Sequence, residues 1–220
     1  VLDAAEAAGF FDGATVVVAE EKVDGANLGL SLTRDYEVVA QNRSHWVNSE
    51  THAQFRPLGV WIDEHAWALC QLLAPEEEVL FGEWCVARHS VHYTRLPGYF
   101  LAFDIYNKRT ATFVSADERG RRMRGLPIPQ VHRVAARAFG SKEELLALLE
   151  TQSRYADRPL EGVYLRIDDE GAGGTSNVRR AKLVRPDFIQ SIDAFWTAGG
   201  LVKNGVVREY ADPEAEEEAT

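Results

Sequence analysis

The chain reads as an α+β fold built mainly of antiparallel strands, on three observations. Short runs rich in Val, Leu, Phe and Tyr recur between residues 15 and 184, bounded by polar or glycine-containing turns. Two neighbouring runs, 27–33 and 36–41, are joined by a short polar turn at Arg34-Asp35, which suits an antiparallel pair. Helical spacing is confined to a few separate stretches, with no internal repeat and no interdomain linker.

The elements follow in order. Leu2-Asp-Ala-Ala-Glu-Ala-Ala favours helix and stops near Gly9. Strands are expected at 15–20, 27–33 and 36–41, and residues 41–56 are polar and irregular. From Val60 to Leu73, apolar residues recur at Trp61/Ile62, Ala66, Leu69/Cys70 and Leu73, which is helical spacing, and Pro75 closes the run. Strands resume at 79–84, 99–106 and 111–114, and the basic stretch 116–126 suits a helix. Ser141-Lys-Glu-Glu144 fits a capping box opening a helix to about Thr151. Strands at 162–167 and 178–184 flank a turn-rich loop, and Pro186-Asp187 opens a last helix with Phe188, Ile192 and Phe195 on one face. The expected domain covers residues 1–200. Residues 201–220 form a C-terminal extension, its acidic tail expected to be solvated and disordered.

Composition sets bounds on function. Hydrophobic residues make up 45% and charged residues 26%, as in ordinary globular proteins. No apolar run approaches the roughly 20 residues needed to span a bilayer, and no signal peptide is visible, so no membrane partner is expected. Cys70 and Cys85 lack metal-ligand spacing and read as core filler in a reduced, cytoplasmic protein. The six histidines form no metal-binding pattern, and no GxxxxGK[ST] string supports a P-loop. A net charge of −10 argues against bulk electrostatic binding of nucleic acid. Much of that excess lies in the acidic tail, while Arg119, Arg121, Arg122 and Arg124 cluster, so basic surface can still be local.

One segment invites specific chemistry. Lys22-Val-Asp24-Gly25 follows a strand and precedes another. A lysine amine can attack the α-phosphate of a nucleotide and hold it as a phosphoramidate, and Gly25 lets backbone approach a ligand closely. A lone KxDG string is weak, since four short positions recur by chance, and by itself it reads first as a charged hairpin turn. The partners decide between them: Arg43 after the third strand, Phe81-Gly-Glu83-Trp84, Phe103-Asp104-Ile105, Glu161-Gly162-Val163 and Arg180-Ala-Lys182-Leu-Val184.

In order and spacing these segments resemble the covalent nucleotidyltransferase superfamily of ATP-dependent ligases and RNA capping enzymes. The finer similarity is to RNA ligases of the RNA ligase 2 type, with their K-x-[DH]-G-x-N segment and downstream F-D-I strand. The resemblance runs from about Leu2 to Phe195 and implies an adenylyltransferase domain that uses ATP and Mg²⁺ or Mn²⁺. It implies Lys22 as the nucleophile that carries AMP, with Lys182 and Arg180 on one strand face stabilising phosphate charge. The family often has lysine at both positions, and arginine at 180 leaves its role there open. Glu161 would help hold the metal, and Glu83 would bond the ribose or assist the metal. Phe103 would stack on adenine, though an alternating strand explains a phenylalanine as well. Arg43 would contact ribose or phosphate, Asp24 and Asn27 would act in the later steps, and Glu21 would offer its backbone to adenine.

The expected activity is therefore joining of RNA 5′-phosphate and 3′-hydroxyl ends, nicked or duplex, through lysyl-AMP and RNA-adenylate intermediates. Relatives usually carry a further C-terminal domain, so RNA binding would rest on a minimal surface, a further domain or a partner protein. The alternatives are a minimal ATP-dependent DNA ligase and a non-catalytic nucleotide- or RNA-binding module of the same fold. Intact Lys22, Glu83, Glu161 and Lys182 speak against the latter.

Overall fold

Side chains in a strand alternate between faces, so each short apolar run commits one face to a core and leaves the other for water or a second layer. The computed structural model describes residues 7–168, 175–176, 179–185 and 201–207. In chain order its strands are β1 (Val17–Glu21), β2 (Ala26–Leu32), β3 (Val38–Gln41), β4 (Trp46–Val47), β5 (Glu78–Trp84), β6 (Phe100–Asn107), β7 (Thr112–Val114), β8 (Arg133–Arg137), β9 (Gly162–Ile167), β10 (Thr175–Ser176) and β11 (Arg179–Val184). They form two sheets, a smaller one in the order β11-β9-β1-β8 and a larger one in the order β10-β7-β6-β5-β2-β3-β4. Every pairing between these strands is antiparallel. The fold is α+β, with all eight expected strands present to within two residues at either end.

Among the described residues three helices accompany them: α1 (Leu58–Leu72), α2 (Ala116–Met123) and α3 (Lys142–Ala147). Leu58, Trp61, Leu69 and Leu72 of α1 pack against Leu28, Leu30, Leu80 and Phe100 of the larger sheet. Phe10, Phe139, Leu145 and Leu160 cover Val17, Val163 and Leu165 of the smaller one. Ser115 and Ser141 cap α2 and α3, their hydroxyls accepting the amides of Glu118 and Glu144. The reciprocal half of the expected capping box gives way to an ion pair of Glu144 with Arg137 at 2.8 Å.

Three strands were not expected from sequence. β8 carries Ala135-Ala136 between arginines, a composition poor in strand formers, and its pairing is supplied by β1. β4 and β10 are two-residue edge pieces. The expected N-terminal helix is described only at its end, Ala7-Ala8, while the last helix and the acidic tail lie outside the described residues. Residues 201–207 fold back onto the loop after β5, through bridges at Ala87–Lys203 and Leu96–Val206.

Candidate active site

β1 pairs only within the smaller sheet and β2 only within the larger, so Lys22–Gly25 is the crossing between sheets rather than a hairpin turn. The ladder runs to the end of β1 and one residue beyond: the Glu21 amide donates to the His132 carbonyl at 2.8 Å and that of Lys22 to the Gly162 carbonyl at 3.0 Å. These bonds fix the Lys22 backbone from two sides. A Cβ added to Gly25 would lie 2.6 Å from the Trp84 carbonyl oxygen, so only glycine lets β2 start this close to β5. The Gly25 amide donates to Glu83 Oε1 at 3.0 Å.

Residues of both sheets line a cavity of about 720 Å³. Lys22, Asp24, Asn27 and Glu83 border it at the crossing, and Arg43, Phe103, Arg180 and Lys182 border it elsewhere. Lys22 Nζ bonds directly to Glu161 Oε1, whose carboxyl is buried. The second oxygen, Oε2, is buried without a hydrogen-bond partner among the described residues. Burial pushes the Glu161 carboxyl up to about 7 against the pull of Lys22, and the charges of Asp24 and Glu83 push the same way. Burial likewise pushes Glu83 up to about 7, opposed by the Gly25 amide and Lys22.

Adjacent residues of β1 point to opposite sides. Glu21 turns its carboxylate to the 153–154 loop, accepting from the Ser153 hydroxyl at 2.6 Å and the Arg154 amide at 3.0 Å. These are neutral donors, and burial pushes Glu21 up to about 7. Glu20 turns the other way, to Arg119. Arg119 also donates to the Phe103 carbonyl and to Gln130, and is only 2% exposed. Arg166, fully buried, donates to Asp104 at 3.0 Å, Asp168 at 3.0 Å and the Val114 carbonyl at 2.9 Å. Asp104 completes the chain of charges by taking both terminal guanidinium nitrogens of Arg180, and its carboxyl is raised by burial against the pull of Arg180 and Arg166.

Arg180 and Lys182 face Arg166 and Tyr164 of β9 in register, and both border the cavity. Their environments differ. Arg180 lies 3.8 Å over the Phe113 ring and donates to the Tyr164 hydroxyl at 3.1 Å, whereas Lys182 is exposed, with no ion pair among the described residues. Arg43 is exposed at the rim.

Asp24 faces a third partner. Its Oδ2 accepts both the amide (3.0 Å) and the hydroxyl of Ser90, and its own amide donates to the Tyr93 hydroxyl at 2.8 Å. Sequence reasoning missed Tyr164 and Phe113, which border the cavity beside Arg180. It also missed the Arg119–Glu20 and Arg166–Asp104 pairs behind it. The strand alternation around Glu161 could have indicated Tyr164; nothing local indicates the buried arginines. The expected basic surface of 119–124 is reduced: Arg119 is buried, and Arg122 pairs with Glu78 and the Leu72 carbonyl.

A family model for RNA ligase matches residues 15–184, a span that contains the crossing, the cavity and both sheets. The chain belongs to the RNA ligase family. No curated protein matches it. Among solved structures, the Naegleria gruberi RNA ligase with PPi aligns at a TM-score of 0.58 and 17% identity, over 81% of this chain and 52% of that one. A lysine-to-alanine variant of the same ligase with ATP and Mn aligns at a TM-score of 0.58 and 15% identity, with the same coverage. A lysine-to-methionine variant with AMP and Mn aligns at 0.58 and 14%. The fold is therefore shared, and the chain spans about half the length of these family members. Among the described residues no helix is long and apolar enough to cross a membrane.

Proposed function

We propose that this chain is the adenylyltransferase part of an ATP-dependent RNA ligase, with Lys22 as the nucleophile. The observation that carries the reading is the placement of Lys22 Nζ against buried Glu161, in a cavity that the exposed Lys182 also borders. A deprotonated Nζ attacks the α-phosphorus of ATP, forming the N–P bond as the bond to pyrophosphate breaks. Charge spreads over phosphate oxygens in that step, and Lys182 is preset to meet it. Phe103 borders the same space and suits an adenine ring, Glu83 suits a ribose hydroxyl, and Arg43 suits ribose or phosphate. An RNA 5′-phosphate oxygen then takes the AMP from Lys22. A 3′-hydroxyl finally attacks that 5′-phosphorus and expels AMP.

The carboxylates fit a hard divalent cation. Glu161 Oε2 is buried and without a partner among the described residues, and the charge of Asp24 raises the proton affinity of both Glu83 and Glu161. Among the described residues no cluster of three or more such side chains forms, so the protein would supply one or two carboxylates and the nucleotide the rest. Glu161, with Glu83, would hold Mg²⁺ or Mn²⁺, which when bound neutralises phosphate charge. The relatives with ATP or AMP and Mn support this choice.

Mixing the protein with α-labelled ATP and a divalent cation tests the reading. An acid-labile adduct forms with the wild type and is absent from Lys22→Ala; equal labelling of the variant overturns it. RNA as substrate is tested with nicks whose 3′-hydroxyl strand ends in ribo- or deoxyribonucleotides. Sealing favours the ribo end, and equal or faster sealing of the all-deoxy nick moves the assignment to a DNA ligase.

A further inference from the structure

The Asp24 carboxylate is held by a loop, and the loop is held by a distant part of the chain. Both bonds from Ser90 fall on Oδ2, so Oδ1 carries no hydrogen bond among the described residues and stays open to a ligand. Tyr93, 1% exposed, takes the Asp24 amide on its hydroxyl. Neither residue belongs to a strand, and residues 85–96 have few ladder bonds of their own.

Tyr155 holds this stretch on one side, its carbonyl accepting the amides of Thr94 (2.9 Å) and Arg95 (3.1 Å), and residues 201–207 hold it on another. Asn204 is 3% exposed, and its side-chain amide donates to the carbonyls of Cys85 at 2.8 Å and Ala87 at 3.1 Å. Its side-chain oxygen accepts the Tyr93 amide at 2.9 Å. Backbone bonds extend the seam on both sides: Arg88 to Val202 (2.8 Å), Asn204 to Val86 (3.0 Å), Gly205 to Tyr93 (2.8 Å) and Leu96 to Gly205 (3.1 Å). A Cβ on Gly205 would meet the Thr94 carbonyl oxygen at 2.9 Å, so the approach is close. One amide side chain thus satisfies three backbone groups of a buried loop that has no sheet to satisfy them.

We infer that Leu201–Val207 is a strap that aims Asp24, with Asn204, Tyr93 and Ser90 as positioning residues for the step in which that carboxylate acts. The inference rests on the ligase reading for the name of the step, but the strap itself does not. Two routes connect Asn204 to Asp24. One runs through Tyr93 to the Asp24 amide, and the other through the 85–90 backbone to Ser90 and the carboxylate. The strap adds no group to the cavity. It fixes an oxygen that would otherwise swing with a loop.

Two measurements test it. Hydrogen exchange on Asn204→Ala should show the amides of Asp24 and Ser90 losing protection while β1 and β2 keep theirs; unchanged protection at 24 and 90 overturns the strap. For function, sealing of pre-adenylated RNA is compared for Ser90→Ala and Tyr93→Phe, conservative changes that leave the fold in place, with and without Asp24→Asn. Each single change should slow sealing on the order of 10–100-fold, and neither should slow it further once Asp24 is replaced. Equal losses in both backgrounds would make Ser90 and Tyr93 ordinary structural residues and overturn the inference. Loss of protection at Asp24 in a protein that never forms lysyl-AMP would uphold the strap and sink the ligase reading instead.

Discussion

Arg180 and Lys182 sit two residues apart on one strand, border one cavity and carry the same charge, yet they are built for different work. Arg180 is committed: both of its terminal nitrogens are on Asp104, and its plane lies on Phe113. Behind it, Arg166 and Arg119 tie Asp104, Glu20 and the Phe103 carbonyl into one buried chain of charges. Two residues along β11, Lys182 has no ion pair among the described residues; Glu161, paired with Lys22 through one oxygen, keeps the other without a hydrogen-bond partner, as Glu20 Oε2 and Arg180 Nε also do. What separates the two cations is exposure and pairing: Arg180 is held between a buried carboxylate and a ring, whereas Lys182 keeps its charge in water beside the cavity.

The sharpest way to break this contrast is to remove the uncommitted groups. Lys182→Ala and Glu161→Ala should each slow lysyl-AMP formation by about 10²–10³-fold, the usual loss of one preset charge partner. Lys182→Ala should leave the melting temperature unchanged, because it gives up no ion pair among the described residues. Wild-type labelling rates in both variants would reduce the two residues to surface charge and a buried ion pair.

The committed end should behave in the opposite way. Asp104→Asn leaves Arg166, fully buried, and Arg180 short of their shared counter-charge. Breaking a buried pair typically costs about 3–5 kcal/mol, so a fall in melting temperature on the order of 10 °C is expected. A melting temperature within about a degree of the wild type would show that the chain of charges contributes little to the fold. Arg180→Lys is the milder form. It keeps a cation but loses the fork and the ring contact, and should cost about 1–3 kcal/mol. If Arg180→Lys instead abolished labelling with no loss of stability, Arg180 would join Lys182 as a phosphate ligand.

The two ends were not equally legible in the sequence. Lys22, Asp24, Glu83, Glu161 and Lys182 lie at strand ends or on strand faces that are visible locally, and it was the resemblance to the nucleotidyltransferases, carried by these segments, that implied their convergence. The committed end depends on pairs far apart in the chain: Arg166 meets Asp104 across 62 residues and Arg119 meets Glu20 across 99. Arg119 stands among four arginines in six positions and reads as a solvated helix face. Only its burial in three dimensions turns it inward. Asn204 carried no signal at all, because an isolated asparagine beside a glycine reads as a turn. β8 was missed for a related reason, since alanine and arginine acquire strand geometry there only by pairing with β1.

The smallest expected effect separates the two faces of β1. Glu20 faces guanidinium groups, whereas Glu21 is held by a hydroxyl and a backbone amide, and burial pushes it up to about 7. The folded protein therefore keeps a proton on Glu21 that the unfolded chain releases near pH 4.5. Stability from this group is fully present at acid pH, falls as pH rises from about 4.5 to 7, and is flat beyond. Glu21→Gln removes the titration, and the acceptor it loses costs the same at every pH. The difference in unfolding free energy between the Glu21→Gln variant and the wild type should thus move in the variant's favour by roughly 1–3 kcal/mol between about pH 5 and pH 8. Glu83 and Glu161 titrate in both proteins and cancel. A difference independent of pH would mean that Glu21 stays ionised in the folded protein, its neutral donors offsetting the cost of burial.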